Sequence, residues 1–304
     1  MGDSKVSVVV PAYNNADYTV ETVESVLAQE YVDREVIVVD DGSTDHTRGA
    51  LEKFGDEIRY IYKENGGACS ARNLGIGEST GVYVACLDCD DLWLPDKLEY
   101  SVAMLDHDPD LALSFTACDL IDGAGEKTGQ VECRVDLSKA YKELLYQNYI
   151  SAPTVVMRRS CLESVGLFDE RIFIPADWDL WLRLARRYPI GYIDQSLSQY
   201  RVTSAYSQRN IKQLFAEAMY VLDKNMADSP ELSAKERDQA YDQMFVICSK
   251  VSLDAGQVVE SRRMLLQAIN RNPYKLRSYL LFLLTYLGRG FKSAVGNRIA
   301  SRLC

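Results

Sequence analysis

The sequence predicts an α/β fold with a mostly parallel, Rossmann-like sheet flanked by helices, and two observations support this prediction. Over the first 90 residues, short apolar β-branched runs alternate with segments whose apolar residues recur at helical spacing. The apolar runs are continuous, which is typical of parallel strands that helices cover on both faces. In such sheets ligands bind beyond the carboxyl ends of the strands, so the residues after each strand are the first candidates for function.

The elements follow in order along the chain. Strands are predicted at 5–10, 35–39, 58–62 and 82–87, and helices at 16–29, 44–54 and 68–75. The pattern from 95 to 205 is mixed, with helices at 95–105, 136–146 and 177–188 and strands at 111–119, 155–157 and 191–193. Strand signals then stop. Helices are predicted at 208–226, 231–254, 257–271 and 274–287, with Pro230 and Pro273 as helix breakers. We therefore expect one domain at 1–207, with halves that divide near residue 94, and a helical C-terminal extension at 208–304.

The composition bounds the classes of protein that this chain can belong to. Its 304 residues include 34 basic and 44 acidic side chains, 47% hydrophobic residues and a formal net charge of −10. These proportions exclude a disordered or collagen-like chain, and the acidic total disfavours a nucleic-acid binder. No signal peptide and no run of about 18 apolar residues is present. The one CxxC pair, Cys86 and Cys89, has no second pair and no nearby histidine for zinc. The eight cysteines therefore indicate free thiols in a reducing compartment, and we expect a cytoplasmic protein.

The charge is distributed unevenly along the chain. Residues 261–304 contain nine basic side chains and no Asp or Glu, whereas 1–260 contain 25 basic and 44 acidic side chains, a net charge of −19. Within the basic segment, 276–287 is strongly apolar but too short to span a bilayer. Two interpretations stay open: 272–304 makes a peripheral contact with the inner face of the membrane, or its helices pack on the acidic body.

Polar residues cluster where the predicted strands end. Asp88, Asp90 and Asp91 follow the fourth strand, Asp40 to Asp45 follow the second, and a Pro-Ala-Tyr-Asn segment follows the first. Carboxylate oxygens suit Mg²⁺ or Mn²⁺. Aspartate and glycine also suit tight turns and helix N-caps, so each cluster has a purely structural explanation too.

Five segments together resemble family 2 glycosyltransferases. They are VSVVVPAYN, VIVVDDGSTD, NGGACSARNLGI, LDCDDLW and DWDLWLR, in the family's order and spacing over roughly residues 5–205. The resemblance implies a GT-A fold, a nucleotide-sugar donor, Mg²⁺ or Mn²⁺ as cofactor, and usually inversion of the anomeric centre. It makes 1–207 the catalytic domain, with the nucleotide-sugar half before residue 94 and the acceptor half after it.

The resemblance also implies roles for single residues in donor binding. The DxD motif places Asp88 near the ribose and Asp90 on the metal, with Asp91 in support. Asp41 hydrogen-bonds the imide N–H of uracil. The nucleoside pocket is lined by Pro11, Ala12 and Tyr13.

Two arginines complete the donor site by the same resemblance. Arg72, one turn into the helix that the Asn-Gly-Gly turn opens, contacts the nucleotide, or is a surface arginine beside a glycine turn. Arg201 reaches the diphosphate, although the histidine that follows in many relatives is absent here. The two histidines, His46 and His107, lie elsewhere and are expected at the surface.

The resemblance implies that Asp177 occupies the position of the general base. An inverting transfer needs a group that removes the proton of the acceptor hydroxyl. Relatives show Glu-Asp where this chain has Ala176 before Asp177, so one carboxylate of the usual pair is missing. Asp177 is therefore a base or a helix N-cap, and Trp178 and Trp181 are expected in the core.

These residues together predict a metal-assisted inverting glycosyltransferase of the hexosyltransferase type, acting in polysaccharide biosynthesis. The donor is expected to be a UDP-sugar, and the acceptor a hydroxyl group of a glycan or lipid-linked molecule. Two alternatives stay open: a degenerate protein that binds a nucleotide-sugar without turnover, and a metal-dependent nucleotidyltransferase. The latter would need a glycine-rich basic loop after the first strand, and PAYNN does not fit that description.

Overall fold

The computed structural model describes residues 4–202, 210–227 and 229–286. Within these ranges nine strands form one sheet. The strands are β1 Val6–Ala12, β2 Arg34–Asp40, β3 Arg59–Tyr62, β4 Tyr83–Cys86, β5 Leu92–Trp93, β6 Leu113–Ile121, β7 Lys127–Val131, β8 Val156–Arg158 and β9 Ile190–Arg201. The helices are α1 Ala16–Leu27, α2 Thr47–Leu51, α3 Ala68–Gly77, α4 Lys97–His107, α5 Ala140–Tyr146, α6 Arg159–Val165, α7 Ala176–Arg187, α8 Ile211–Ala227, α9 Ala234–Asp254, α10 Val258–Arg271 and α11 Leu276–Leu284.

The sheet has the order β3-β2-β1-β4-β8-β6-β9-β5, and β7 pairs with β6. The first four strands are parallel to one another, as are β6 and β9, whereas β8 runs antiparallel to β4 and β6. The predicted α/β class and the mostly parallel first half are therefore confirmed. Parallel pairing brings the carboxyl ends of β1, β2 and β4 to one edge of the sheet, which we call the loop edge.

Continuous apolar strands place the core on both faces of the sheet. All seven residues of β1 are buried. Alternate valines of β1 and β2 pack with apolar residues of α1 and α4 in one cluster, whereas Val9 and Val39 face Gly75 of α3. Trp178 and Trp181 of α7 are each 2% exposed, so their prediction as core residues is confirmed. The seven cysteines within the described ranges are free thiols, most of them buried.

The second half of the sheet contains longer and more numerous strands than the sequence predicts. The sequence predicts a three-residue strand at 191–193, but β9 has twelve residues and pairs along its length with β6. Its later residues include Asp194, Gln195, Ser196 and Gln199, and such polar residues do not look like a core strand. The two-residue strand β5, the hairpin strand β7 and the helix α6 are also absent from the prediction.

The chain divides into two compact units. One takes the described residues of Met1–Ala140 and Ile150–Val202, and the other takes Tyr141–Tyr149 with the described residues of Thr203–Cys304. The predicted boundary near 205–210 falls mostly on 203–209, which lies outside the described residues, so it stays a prediction. None of the helices in the described ranges is both long and apolar enough to cross a membrane.

Candidate active site

The loop edge brings together the predicted residues of the first half. The loops that follow β1, β2 and β4 lie side by side there, because these three strands are parallel neighbours. Asn14 links the first two loops. Its backbone adopts a left-handed conformation, with φ at +48°, which asparagine tolerates better than most residues. Its side-chain oxygen accepts hydrogen bonds from Thr44 N at 2.7 Å and Asp45 N at 3.3 Å, and its own N–H donates to Ser43 Oγ.

Asp41 is held by donors of the chain itself. Its Oδ1 accepts from Lys63 Nζ at 2.6 Å and Gly66 N at 2.9 Å, and its Oδ2 accepts from Gly67 N at 2.7 Å. The side chain of Asp41 is 4% exposed. A carboxylate oxygen has two lone pairs, so Oδ2 keeps an acceptor position beyond the bond from Gly67.

The glycine turn is required for this arrangement. Gly67 has φ at +90°, a conformation that residues with a Cβ rarely adopt, and Gly42 has φ at +83° with its backbone against Asn65. From the sequence alone, the free backbone N–H groups of a glycine turn that opens a helix would be expected to bind an anionic ligand. In the structure, the Asp41 carboxylate takes two of them.

The nucleoside-pocket residues lie at the end of β1. Pro11 and Ala12 are buried within the strand and register with Val39 and Asp40 of β2. Tyr13 directly follows the strand and is 50% exposed. A half-exposed aromatic ring beside a buried carboxylate at the same edge offers a stacking surface for a planar group.

The DxD turn lies beside Arg72 of α3. Arg72 donates a hydrogen bond from Nη2 to Asp88 Oδ1, and both side chains are partly buried. Burial of Arg72 disfavours its charged form, yet the Asp88 carboxylate outweighs this effect and the pKa of Arg72 is raised. The Arg72 guanidinium also lies over the ring of Phe168, 5.3 Å from its centroid. Arg72 is therefore a buried part of this edge and not a surface arginine.

Asp91 carries an unsatisfied oxygen within the same turn. Its Oδ1 accepts from the backbone N–H of Arg201 at 2.9 Å, while Oδ2 is buried and has no hydrogen-bond partner in the described structure. Burial raises the pKa of Asp91 well above its ordinary value, and the carboxylates of Asp90 and Asp88 raise it further. A buried oxygen without a donor, among three carboxylates, fits a position beside a cation.

The turn would supply part of a metal's coordination. Within the described ranges no group of three or more His, Cys, Asp or Glu side chains is arranged to hold a metal ion. Mg²⁺ is commonly bound through one or two carboxylates, with phosphate oxygens and water completing the shell. The carboxylates of the turn fit that partial role for Mg²⁺ or Mn²⁺, with Asp90 as the ligand that the sequence predicts.

The side chain of Arg201 lies within the protein, against the DxD turn. It is 1% exposed, its Nε donates to the carbonyl oxygen of Asp90 at 2.8 Å, and its Nη2 donates to Glu21 Oε2 at 2.7 Å. Its guanidinium also stacks over the ring of Tyr18, at 4.3 Å from the centroid. Arg201 therefore anchors the turn, and its predicted contact with a diphosphate stays a prediction.

Asp177 is the second residue of α7, and its Oδ1 accepts from the N–H of Trp178 at 2.7 Å. Burial raises the pKa of the Cys69 thiol to about 11; Arg72 opposes that rise, and the carboxylates of Asp177 and Asp88 add to it. Arg72, Asp177 and Asp88 thus each lie within electrostatic range of Cys69. Asp177 is about 90 residues from Asp88 in the sequence, and both act on the same residue of α3 in the fold.

Helix α3 holds the segment that leads into α7. Asn73 Nδ2 donates to the carbonyl oxygen of Phe168 at 3.0 Å, and Asn73 Oδ1 accepts from the backbone N–H of Phe168 at 3.0 Å. Cys69 Sγ donates to the carbonyl oxygen of Ile172 at 3.3 Å. The same helix therefore carries the partner of Asp88 and fixes the approach to Asp177. Ala176, at the position of the missing glutamate, is 2% exposed and adds no polar group to the site.

Sequence reasoning did not single out several of these residues. Lys63 directly follows β3 at the loop edge, so its position after a parallel strand was an available signal. Asn14 lies in the predicted polar segment after the first strand, but its role in linking two loops was not predicted. Its tolerance of a left-handed turn was the available signal. The roles of Asn73 and Glu21 depend on contacts between distant segments, which the sequence does not reveal. His46 and His107 are exposed, as predicted.

Comparison with protein families and curated sequences gives consistent results. The family model described as Glycosyl transferase family 2 matches residues 7–165. The putative teichuronic acid biosynthesis glycosyltransferase TuaG of Bacillus subtilis is 35% identical over 204 residues, which are 66% of this chain and 79% of TuaG. The UDP-Glc:alpha-D-GlcNAc-diphosphoundecaprenol beta-1,3-glucosyltransferase WfgD of Escherichia coli is 30% identical over 220 residues, 70% of this chain and 84% of WfgD. This chain spans about one third to two thirds of the length of several uncharacterized Rickettsia glycosyltransferases that it also matches.

Solved structures share the fold at low sequence identity. S. aureus TarS 1–349 in complex with UDP-GlcNAc matches with a TM-score of 0.67 and 19% identity, covering 93% of this chain and 89% of that one. The Pyrobaculum calidifontis mannosyltransferase PcManGT in complex with GDP-Man and Mn²⁺ matches with a TM-score of 0.58 and 19% identity, covering 94% of this chain and 86% of that one. The GT-A fold predicted from the sequence is thereby confirmed.

Proposed function

The chain belongs to glycosyl transferase family 2, and on that premise we propose that it transfers a sugar from a nucleoside diphosphate donor to an acceptor hydroxyl group. One observation carries the proposal: helix α3 holds Arg72 against Asp88 and, through Cys69 and Asn73, contacts the segment that leads into Asp177. A site for a donor and a group that can accept a proton therefore lie together. Within this proposal 1–207 is the catalytic domain, with the acceptor side formed after residue 94.

The donor is a UDP-sugar in this proposal. Asp41 Oδ2 accepts the imide N–H of uracil with its remaining lone pair, and Tyr13 stacks on the base. Pro11 and Ala12 form the wall of the nucleoside pocket, and Arg72 and Asp88 bind the ribose and diphosphate side. The related fold of TarS with UDP-GlcNAc bound supports this donor class.

The DxD turn has the metal-binding role. Asp90 would hold Mg²⁺ or Mn²⁺, and the buried Asp91 beside it would support that carboxylate. When bound, the ion offsets the negative charge of the diphosphate leaving group. Arg201 keeps the turn in place through the Asp90 carbonyl oxygen, and we retain its predicted contact with the diphosphate as a further proposal.

Asp177 acts as the general base. Its carboxylate takes the proton of the acceptor hydroxyl as the hydroxyl oxygen attacks the anomeric carbon, which inverts that centre. The acceptor is a glycan or a lipid-linked sugar. WfgD, which is named for transfer to GlcNAc-diphosphoundecaprenol, and TuaG, which is named for teichuronic acid biosynthesis, support this part of the proposal. The peripheral membrane contact predicted for 272–304 belongs to the same proposal, since a lipid-linked acceptor lies at a membrane surface.

A donor panel tests this proposal. The purified chain is incubated with UDP-, GDP- and CDP-sugars, with Mn²⁺ or EDTA, and transfer and slow donor hydrolysis are measured. We expect Mn²⁺-dependent activity with a UDP-sugar, and a loss of about 10²- to 10⁴-fold in kcat for Asp177→Asn. Donor binding by calorimetry should be unchanged in that variant. Asp56→Asn, an exposed aspartate outside the site, is the matched control.

A separate experimental outcome would contradict each part of the proposal. Unchanged kcat in Asp177→Asn removes the base assignment, and activity that survives EDTA removes the metal. Retained anomeric configuration in the product, measured by NMR, removes inversion. Tight donor binding without product over hours identifies a degenerate binding protein instead.

A further inference from the structure

The last described helix, α11, packs Leu281 and Phe282 against the apolar cluster of its unit, yet it also exposes three leucines and buries a serine. Its inward residues include Ser278, which is fully buried, and the inward face ends at Thr285, which is 8% exposed. Its outward residues include Leu276, Leu280 and Leu283, which are 77%, 60% and 62% exposed. Helices of globular proteins normally place leucine inward and hydroxyl side chains outward. We call these three leucines the outer face.

Polar contacts at both ends set the rotation of α11. At its C-terminal end, Arg262 of α10 donates from Nε to Thr285 Oγ1 at 2.8 Å and from Nη2 to the carbonyl oxygen of Thr285 at 3.1 Å. At its N-terminal end, Lys275 forms an ion pair with the buried Asp242 of α9. Turning the helix to bury the leucines would break both sets of contacts. The outward leucines are therefore a specified feature of this unit.

The outer face is bordered by aromatic residues. Tyr274, Tyr279 and Tyr286 are 93%, 39% and 60% exposed. A contiguous exposed apolar surface of this kind indicates an interaction site on a soluble protein. Tyrosine at the border of an apolar surface is typical of the membrane–water interface, where the ring meets the acyl chains and the hydroxyl meets water.

The charge of this region identifies the occupant. Residues 261–304 contain nine basic side chains and no acidic one, and four of the nine follow α11 at Arg289, Lys292, Arg298 and Arg302. Residues 1–260 have a net charge of −19, so an anionic surface repels that part of the chain and attracts the basic end. A nine-residue helix is too short to span a bilayer but can lie in its surface.

We propose that the outer face of α11 inserts into the surface of an anionic lipid bilayer. Binding to the bilayer would bring the enzyme to a lipid-linked acceptor. This inference therefore deepens the proposed function and rests on it. The leucines supply the apolar contact, and the basic residues around and after them select anionic headgroups. Arg277 lies on the same helix and is exposed.

Vesicle sedimentation tests this inference on the full chain. Binding is measured to phosphatidylcholine vesicles and to vesicles that contain about 30% phosphatidylglycerol, without any sugar donor. We expect at least about tenfold stronger binding to the anionic vesicles, and at least about a tenfold loss when Leu276, Leu280 and Leu283 are all replaced by serine. The double variant Val32→Ser with Val259→Ser removes exposed apolar side chains elsewhere and should bind as the parent does. Arg277→Glu should weaken binding to anionic vesicles alone.

The readouts separate this inference from the proposed function. UDP-sugar binding by calorimetry should be equal in the parent and the triple-serine variant, and an unchanged helical signal in circular dichroism shows that the variant is folded. Equal vesicle binding by the two proteins overturns the inference, as does no binding by the parent. If the parent self-associates in light scattering and the triple variant does not, a second copy is the occupant and the lipid inference is wrong. If donor binding is absent while lipid binding follows the pattern above, the proposed function fails and this inference stands.

Discussion

The side-chain nitrogen of Lys97 lies fully buried over the ring of Trp93, 4.4 Å from its centroid, and has no hydrogen-bond partner in the described structure. Burial lowers the pKa of this amine well below its ordinary value. No proposed step of the reaction uses it. A buried amine without an acceptor costs about 1–3 kcal/mol, against a smaller gain from the aromatic ring.

We expect Lys97→Met to raise the free energy of unfolding at pH 7 by about 1 kcal/mol, or the melting temperature by about 2–4 °C. Between the lowered pKa of the folded state and about 10.4 in the unfolded state, only the unfolded chain binds this proton. Stability therefore rises with pH across that window in the parent, and the variant should lose that part of the slope. Denaturant titrations at several pH values measure both effects. Lys212→Met, at an exposed position, is the control, and a destabilised variant with an unchanged slope would contradict the prediction.

At the scale of single elements, the packing of α3 on the sheet positions the site. Gly75 of α3 faces β1 and β2, where a Cβ would overlap Val9 Cγ1 and lie 3.1 Å from Val39 Cγ2. Gly77, two residues later in the same helix, has no atom within 4 Å of such a Cβ. Helix α3 also carries Arg72 and contacts the segment before Asp177. The close packing of Gly75 on the sheet therefore helps to position Arg72 and that segment.

The two glycines make a matched pair of variants. We expect Gly75→Ala to lower the free energy of unfolding by about 1–3 kcal/mol, because the core must open to admit the methyl group. Gly77→Ala should leave stability unchanged or raise it by about 0.5 kcal/mol, since alanine favours the helix. Urea denaturation followed by circular dichroism compares them. Equal effects in the two variants would show that α3 does not pack as described.

The elements that the sequence predicts well are those with continuous local signals. The first four strands and α1 to α3 were recognisable because their apolar runs and helical spacing do not depend on distant residues. The DxD turn and Asp41 were recognisable because polar residues directly follow apolar strands. The extent of β9 was not, since its polar residues are extended only through pairing with β6. The contact of Asn73 with Phe168 and the burial of Arg201 arise from tertiary structure and have no local sequence signal.

At the scale of the whole molecule, the units do not follow the order of the chain. Residues Tyr141–Tyr149 belong to the second unit although the chain returns to the first unit after them. Tyr141 Oη donates to the carbonyl oxygen of Asn225 at 2.9 Å and lies 2.5 Å from Ser229 Oγ. Lys142 Nζ donates to Glu236 Oε1 at 2.6 Å. The predicted domain 1–207 therefore contains a segment whose partners lie beyond it.

A fragment of residues 1–207 should be less stable than the full chain. Tyr141 loses both of its buried partners in the fragment, which costs about 1–3 kcal/mol and lowers the melting temperature by about 2–4 °C per kcal/mol. Scanning calorimetry measures the difference. A fragment of residues 1–286 keeps the partners of Tyr141 and Lys142 and should not show this loss. If 1–207 melts at the temperature of the full chain, the segment does not depend on its later partners.

The position of Tyr141–Tyr149 also has a consequence for the order of events during synthesis. This segment leaves the ribosome before residues 225–236, which supply its partners. At about 5–20 residues per second, the roughly 90 intervening residues take about 4–18 s to translate. The sheet strands that flank the segment can pair during this interval, whereas Tyr141 and Lys142 stay without their final contacts. Translation speed over 150–236 thus sets how long the nascent chain exposes this segment to chaperones and proteases.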